Sequence, residues 1–394
     1  MIIMKKFFLF VAAAVGLCCN ASAQLYYQDG GNVDMLRHMA EKKSQRKEII
    51  IPNVGGYKVY KADLHIHTFY SDGHVLPELR VREAWADGLD IIAITDHLEI
   101  RKYLSDMLDF GKGYVATTEE QPKQTPKKVV VTDKIDFNVP HNSSVGAAKR
   151  FGIHLIRGAE ITRNVAEYGH FNCLFTTDNN AILAEDPEVA IRNARAQGAI
   201  IMHNHPGWRR TSLDTHAFED RIYSEGLIDG IEVMNNNEFY PRAIDRAKEL
   251  GFFVSSNSDI HGMISEVFIG QIRNFTMILA NELTDEAIRE ALLEHRTVAY
   301  SYGTLAGEEK WLKPLFEACV DVEVLRTNKD GSQAVRLVNK SSLLFVLKSK
   351  GGRESTLAPS SSVNYTLRPD GTTFTVENVW CGSDQKLTIT LLPR

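Results

Sequence analysis

The chain has 394 residues, of which 44% are hydrophobic and 24% are charged. These proportions are those of a globular protein and exclude a disordered or collagen-like chain, and the length favours two domains over one small core. The formal net charge of −5 argues against long nucleic acids as partners, because they favour a basic protein surface.

The first 23 residues predict a secretory signal peptide. Two lysines precede an apolar stretch at 7–17, and small residues at 21–23 offer a cleavage site. We therefore expect an exported protein, periplasmic or secreted, with no membrane span. A lipoprotein signal at Cys18 ranks second, because Leu17 stands where a small residue would be wanted.

After a polar leader at 24–57, strands and helices alternate. Apolar, β-rich runs predict the strands, and helix starts and stops are marked by residues such as Pro77 and Gly88. The predicted strands are 58–64, 90–95, 153–160, 170–175, 199–203, 230–234, 252–256 and 275–279, and the predicted helices are 77–87, 142–150, 186–197, 241–250 and 284–294. Repeated βα units predict a parallel, barrel-like sheet whose active site lies at the carboxyl ends of its strands.

Two segments depart from this alternation. The long insert at 98–140 is polar and is either a lid over the site or a flexible surface loop. In the segment 309–394, short β-rich runs separated by Gly, Asp and Pro turns predict a small all-β sandwich. This domain lacks clusters of metal-binding residue types, so we expect a role in packing or accessory binding.

Histidines and carboxylates fall in short clusters beside the predicted strands of the first domain. Imidazole and carboxylate are ligands that Zn, Fe and Mn share, and strand ends at one edge of a sheet would bring separate clusters together. The pattern therefore predicts a multinuclear metal site. The clusters are Asp63-Leu64-His65-Ile66-His67, Thr95-Asp96-His97, Gly158-Ala159-Glu160, Gly169-His170, His203-Asn204-His205-Pro206 and Asp259-Ile260-His261.

Taken in order, these motifs resemble the PHP superfamily, named for polymerase and histidinol phosphatase proteins. The resemblance covers about residues 58–305 and implies a distorted (β/α)7 barrel at 58–308, with two or three divalent ions (Zn, Mn or Fe) that support hydrolysis of phosphate esters. It implies one ion on His65, His67, Glu160 and Asp259, a second on Glu160, His170 and His205, and a third on Asp72, His97 and His261. His74 competes with Asp72 for the third ion.

Four further residues are candidates for roles beside the metals. His203 is a general acid, a partner of a metal ligand or a core histidine, and the sequence leaves these alternatives open. Arg209 and Arg210 follow the same predicted strand and could bind substrate phosphate. His141, at the start of the helix predicted at 142–150, could reach the site from the insert, with Asn142 as the helix N-cap.

The layout of signal peptide, barrel and β-sandwich resembles the secreted phosphodiesterase branch of the superfamily. We therefore expect an exported phosphodiesterase that hydrolyses small phosphodiesters with metal-bound hydroxide. The alternatives are a phosphomonoesterase for nucleotides or sugar phosphates and a non-catalytic metal- or glycan-binding protein. Its expected partner is a small phosphoester, and the sequence leaves the oligomeric state open.

Overall fold

The computed structural model describes residues 34, 45–103, 135–163, 165, 167–352 and 354–393. The predicted signal peptide, the first part of the predicted leader and most of the insert lie outside the described residues. From residue 46 onward the chain forms one compact unit. Within the described part of the chain, no helix is long and apolar enough to cross a membrane.

The first part of the chain alternates strands and helices, and the elements that were predicted lie close to their predicted bounds. The elements at 217–224, 238–239, 264–267, 297–301 and 304–307 were not predicted. Its strands are β1 (Lys58–Asp63), β2 (Ile91–Ile94), β3 (His154–Thr162), β4 (His170–Leu174), β5 (Ile200–Asn204), β6 (Gly230–Asn235), β7 (Glu238–Phe239), β8 (Phe253–Asn257), β9 (Phe275–Ala280), β10 (Thr297–Ser301) and β11 (Thr304–Gly307). Its helices are α1 (Pro77–Ala86), α2 (Val139–Phe151), α3 (Pro187–Ala196), α4 (Ala217–Ser224), α5 (Pro241–Leu250), α6 (Ile264–Val267) and α7 (Asp285–Leu293), and a 3₁₀ turn spans Asn179–Ala181.

The central sheet is rich in parallel pairs but mixed. Strands β1–β2–β3 and β5–β6–β8 pair in parallel, whereas β3–β4–β5 and β1–β9–β10 are antiparallel. The expectation of a parallel sheet is therefore wrong at two of the predicted strands, β4 and β9. Only residues 163–169 separate β3 from β4, and a parallel crossover needs about a dozen residues or more.

Side chains join strands β8 and β9, which share no backbone ladder among the described residues. The Thr276 hydroxyl accepts a hydrogen bond from the Ser256 N–H at 2.9 Å and donates one to the Ser256 carbonyl at 3.0 Å. Asn274 Nδ2 donates to the Asn257 carbonyl at 3.1 Å. Because side chains rather than a backbone ladder make this junction, the (β/α)7 count stays a prediction.

A sheet domain follows helix α8 (Glu309–Cys319), which the sequence pattern did not predict and which contains Pro314. Strands β12, β13 and β16 form one antiparallel sheet, while β14, β15, β17 and β18 extend the central sheet through a parallel pairing of β11 with β17. The β12–β18 bounds are Val320–Thr327, Gln333–Asn339, Phe345–Ser349, Glu354–Leu357, Ser362–Leu367, Thr372–Trp380 and Lys386–Leu391.

The described part of the predicted leader packs against both regions. The Lys47 N–H donates to the Ala86 carbonyl at 2.8 Å, at the end of α1. Ile50 and Ser342 exchange two hydrogen bonds, so this segment also contacts the sheet domain. Val54 is buried in the same hydrophobic cluster as the cores of α1 and β13.

Candidate metal centre

The nine predicted ligands lie along one edge of the central sheet. His65, His97, His205 and Asp259 follow the carboxyl ends of parallel strands, whereas His170 begins β4. Because β4 runs antiparallel to β3, with His170 opposite Thr162, the start of β4 lies at the edge where β3 ends. The antiparallel strand β4 therefore places His170 at the same edge as the other predicted ligands.

Glu160 lies at the centre of this group and is fully buried. Five imidazoles surround its carboxylate. Atom Oε2 lies 2.7 Å from Nδ1 of His97, 3.3 Å from Nε2 of His67 and 3.6 Å from Nε2 of His65, and Oε1 lies 3.2 Å from Nδ1 of His170 and 3.8 Å from Nε2 of His205. A carboxylate with histidines at both oxygens has the placement needed to bridge two cations.

Asp259 faces three of the same histidines. Its Oδ1 lies 3.2 Å from Nε2 of His65 and 3.1 Å from Nε2 of His67, and the two ring nitrogens are themselves 3.0 Å apart. Its Oδ2 lies 3.8 Å from Nε2 of His205. Asp259 therefore closes the cluster on the side opposite to β3.

Asp72, and not His74, points into the cluster. Its Oδ1 lies 3.2 Å from Nε2 of His261 and 3.5 Å from Nε2 of His97. The His74 side chain is exposed, and its ring lies against Tyr103. The geometry thus favours Asp72 for the third predicted ion.

Ligand atoms gather in four overlapping groups, each within 4.8 Å. One group, Glu160 with His170 and His205, is the predicted second set. His67 joins the predicted third set, and the predicted first set is divided between two groups. The groups are His67, Asp72, His97 and His261; His65, His67 and Glu160; His65, His205 and Asp259; and Glu160, His170 and His205.

Several buried atoms of the cluster make no correctly directed hydrogen bond among the described residues, although charged groups lie close to them. These atoms are Oε2 of Glu160, Oδ1 of Asp72 and both ring nitrogens of His170. Nδ1 of His97, for example, lies 2.7 Å from Oε2 of Glu160 but bonds the Thr162 hydroxyl at 2.5 Å instead. An unsatisfied buried polar group costs about 1–3 kcal/mol, so native proteins rarely leave several together. Divalent cations would satisfy all of them, and the imidazole and carboxylate donors suit Zn, Mn or Fe.

The pKa values of the cluster shift in both directions: those of Glu160 and His67 are lowered, whereas neighbouring carboxylates outweigh burial and raise those of His65, His97, His205 and His261, so a cation that binds these four rings displaces protons from them. Burial raises the pKa of Glu160, but the neighbouring His97 and His65 outweigh burial and hold that pKa well below its usual range. Burial, together with the charges of His261 and His97, lowers the pKa of His67 to about 3. His67 is therefore neutral near pH 7 and has a lone pair available for a cation.

Two of the predicted ligands have a strained backbone. His205 has φ of 24° and Asp259 has φ of 50°, a region that residues other than glycine rarely adopt. Such conformations cost about 1–3 kcal/mol and persist only where the surroundings hold them. At Asp259 one such contact is the hydrogen bond from its N–H to the His65 carbonyl, at 3.0 Å.

Two buried charged residues behind the ligands were not predicted from the sequence. Glu232 on β6 accepts hydrogen bonds from Nδ1 of His65 at 3.0 Å and from the His205 N–H at 2.7 Å. A carboxylate inside the apolar strand Gly230–Asn235 was a signal that could have identified it. Arg80 on α1 is buried and donates to backbone carbonyls of the ligand loops, but a helix arginine gives no such signal. The Arg80 acceptors are the carbonyls of His67, Ile260, His261 and Gly262.

His203 faces away from Glu160. Its Nδ1 lies 2.5 Å from the Tyr223 hydroxyl, its Nε2 lies 3.4 Å from Oε1 of Glu219, and its ring stacks on Phe171. Burial lowers the pKa of His203 well below its usual range, with a further contribution from Arg210. These contacts favour the structural alternative, and a general-acid role stays a prediction.

Arg210 and Arg209 have different surroundings. Arg210 pairs with the buried Glu219 through two contacts of 2.9 and 3.0 Å. Arg209 is exposed and lies over the Trp208 ring at 4.2 Å, and that ring lies 4.6 Å from the ring of His170. Arg209 therefore lies beside the cluster without an ion pair to Glu219, whereas Glu219 neutralises Arg210.

His141 lies on α2, and its ring contacts Asn142 of the same helix rather than the cluster. Its Nδ1 lies 3.4 Å from Oδ1 of Asn142, and burial and the charge of Arg157 lower its pKa. The predicted N-cap is wrong, because α2 begins at Val139 and places Asn142 inside the helix. The Asn142 side chain instead accepts a hydrogen bond from Arg157 at 3.0 Å.

Known proteins share this sequence pattern and fold. The sequence matches the PHP domain family over residues 63–289. The structure is similar to that of a two-domain protein of Bacteroides vulgatus that contains a predicted PHP-like metal-dependent phosphoesterase, with 32% identity, a TM-score of 0.77, and coverage of 88% of this chain and 98% of that one. A lesion-specific endonuclease of Pyrococcus furiosus aligns at 17% identity with a TM-score of 0.40, over 64% of this chain and 59% of that one. No curated protein matches the sequence significantly.

Proposed function

The chain belongs to the PHP domain family of metal-dependent phosphoesterases, and from this membership we propose that it is a phosphodiesterase that hydrolyses small phosphodiesters. The observation that carries the proposal is the group of nine imidazole and carboxylate side chains that has Glu160 at its centre. A site built for this many cation ligands fits hydrolysis of an anionic ester better than simple metal storage, because the partly exposed His261 and Asp72 leave one edge of the cluster accessible.

The side chains of the cluster would form three ion sites. His65, His67, Glu160 and Asp259 would hold one ion, Glu160 with His170 and His205 a second, and Asp72 with His97 and His261 a third. When bound, divalent ions polarise phosphoryl oxygens and lower the pKa of water towards neutrality. Glu160 keeps its negative charge because the surrounding histidines hold its pKa well below its usual range.

The charges around the cluster support a diester rather than a monoester. A monoester carries an extra negative charge and would favour additional unpaired cations near the metals. Arg210 is instead paired with the buried Glu219, which leaves Arg209 as the cationic side chain of this loop that faces solvent beside His170. A single guanidinium suits the single charge of a diester.

Hydrolysis of bis(p-nitrophenyl) phosphate and p-nitrophenyl phosphate, with elemental analysis of the same preparation, tests the proposal. We expect bound divalent metal and a higher kcat/KM for the diester. A higher kcat/KM for the monoester would instead support the phosphomonoesterase. Metal-loaded protein that hydrolyses neither ester would support the non-catalytic alternative. Glycan binding by the full chain would then identify it as a glycan-binding protein.

We also propose that the protein is exported, on the basis of the signal-peptide pattern at 1–23. Expression of the full chain with fractionation of the cells and N-terminal sequencing of the product tests this. Processing after Ala23 with the protein outside the cytoplasm is expected, and an intact N-terminus in the cytoplasm contradicts it.

A further inference from the structure

We propose that Glu232 is a positioning residue that holds two metal-binding histidines, His65 and His205, in the arrangement that cations require. The inference rests on the proposed metal-dependent function and deepens it. Glu232 does not point its carboxylate at the space between the ligands. It lies behind them, fully buried, on the strand between those that carry His205 and Asp259.

Every polar contact of the Glu232 carboxylate is with a donor. Oε1 accepts from Nδ1 of His65 at 3.0 Å and from Nδ2 of Asn257 at 2.9 Å. Oε2 accepts from the His205 N–H at 2.7 Å and from Nδ2 of Asn235 at 2.8 Å. A carboxylate that accepts at both oxygens from amide donors is matched to this pocket in its ionised form.

The contact with His65 selects the tautomer of that histidine. A neutral His65 ring that donates its hydrogen from Nδ1 to Glu232 has its lone pair on Nε2, where a cation can bind. Nε2 is the atom that faces Asp259 at 3.2 Å and Glu160 at 3.6 Å. Glu232 thus directs the metal-binding nitrogen of His65 into the cluster.

The contact with His205 acts on the backbone. His205 has φ of 24°, which is strained for a residue with a side chain, and its N–H makes the shortest hydrogen bond of the Glu232 carboxylate, at 2.7 Å. The bond holds the turn that aims His205 towards Glu160. Loss of this acceptor would let the turn relax and withdraw the ring.

The local strand geometry and a third strand support the same role. The pairing of β6 with β8 shifts register between Glu232 and Met234, and such bulges redirect side chains next to functional sites. Asn257, which binds Oε1, also accepts from the Leu64 N–H at 2.8 Å. Through Glu232, the ends of β1, β5 and β8 are therefore tied at one carboxylate.

Mn²⁺ titration of the full chain tests the proposal, with wild type, Glu232→Gln and Asp229→Asn compared by isothermal calorimetry. The Gln variant keeps the volume but presents an amide N–H₂ to two donors, so we expect Mn²⁺ affinity to fall by about 10–100-fold. Asp229 directly precedes the same strand and pairs with Arg195 and the Ile201 N–H, without contact to a ligand. Its variant should bind Mn²⁺ within about twofold of wild type.

The outcomes separate this inference from the proposed function. Wild type that binds Mn²⁺, with an E232Q variant of equal affinity, overturns the positioning role and leaves the phosphodiesterase proposal intact. An Asp229→Asn variant as weak as E232Q also overturns it, because the effect would then be general to the strand. Wild type that binds no Mn²⁺ overturns both proposals.

A measurement on wild type keeps the test open if E232Q does not fold. Nitrogen-15 NMR of histidine-labelled protein saturated with Zn²⁺, which is diamagnetic, reports which ring nitrogen of His65 carries the hydrogen, with His65→Gln used for assignment. We expect the hydrogen on Nδ1. A hydrogen on Nε2 in the folded protein overturns the proposal.

Discussion

The ligand edge of the central sheet and the C-terminal sheet domain bury polar side chains in opposite ways. Asn339 in the sheet domain is fully buried, donates to the carbonyls of Leu343 and Ala358, and accepts twice from Ser341. Glu160 is equally buried, yet its Oε2 makes no correctly directed hydrogen bond among the described residues. Burial with partners stabilises a fold, whereas burial without partners indicates a place for a ligand.

The strands of the two regions show the same contrast. In β13, buried and more exposed positions alternate, as expected for a sheet with one face on a core. In β8 every residue is buried, including Ser255, Ser256 and Asn257. The polar residues of β8 join neighbouring strands and support the ligand loops, so this strand serves the site as well as the core.

Removal of the central carboxylate should have the largest effect. We expect Glu160→Ala to lose the ions that the carboxylate bridges and to lower kcat/KM for bis(p-nitrophenyl) phosphate by at least about 1000-fold, or roughly 4 kcal/mol. Kinetics and elemental analysis of the same preparation measure both. An E160A variant with unchanged metal content and turnover would show that Glu160, like Asn339, has only a structural role.

Cation binding should stabilise the ligand edge. At a free Mn²⁺ concentration of 100 times Kd, linkage predicts a gain of about 2.7 kcal/mol in the free energy of unfolding, because only the folded chain presents the whole cluster. Chemical denaturation with Mn²⁺ and with a chelator measures the difference. Glu160→Ala is the control and should show a smaller gain, because it lacks the carboxylate of two of the three predicted ion sites. Equal stability of wild type in both conditions would contradict the prediction.

Loss of Asn339 should affect stability without affecting the metals. Asn339→Ala leaves the Ser341 N–H and hydroxyl without their acceptor, so we expect a loss of about 1–3 kcal/mol in the free energy of unfolding. Denaturation measures the loss, and Mn²⁺ titration below the unfolding transition should give the wild-type affinity. A parallel fall in Mn²⁺ affinity would show that the two regions are not independent.

Loss of His74 should have the smallest effect. Its side chain is exposed, so we expect His74→Ala to change the free energy of unfolding by less than about 0.5 kcal/mol and to leave the metal content unchanged. Asp72→Asn is the matched comparison and should reduce the metal content, because Asp72 faces His97 and His261. A loss of metal in the His74 variant, but not in the Asp72 variant, would reverse the assignment of the third ion.

Much of the fold could be read from local patterns in the sequence. Pro241 and Gly251 mark the limits of α5, and Thr284 caps α7 by accepting from the Ala287 N–H, because helix ends depend on nearby residues. Helix α8 was missed because its interior proline argues against a helix. The antiparallel directions of β4 and β9 were missed because strand direction depends on pairing across the sheet.

The sequence by itself determined the ligand types and their order along the chain, since imidazole and carboxylate chemistry is a property of each residue. Tertiary structure decided which of them meet. It placed Asp72, and not His74, beside His261, and it placed His203 against Tyr223. It also placed Glu232 and Arg80 behind the ligands. These outcomes depend on contacts between residues far apart in the chain, and such contacts exist only once the strands have paired.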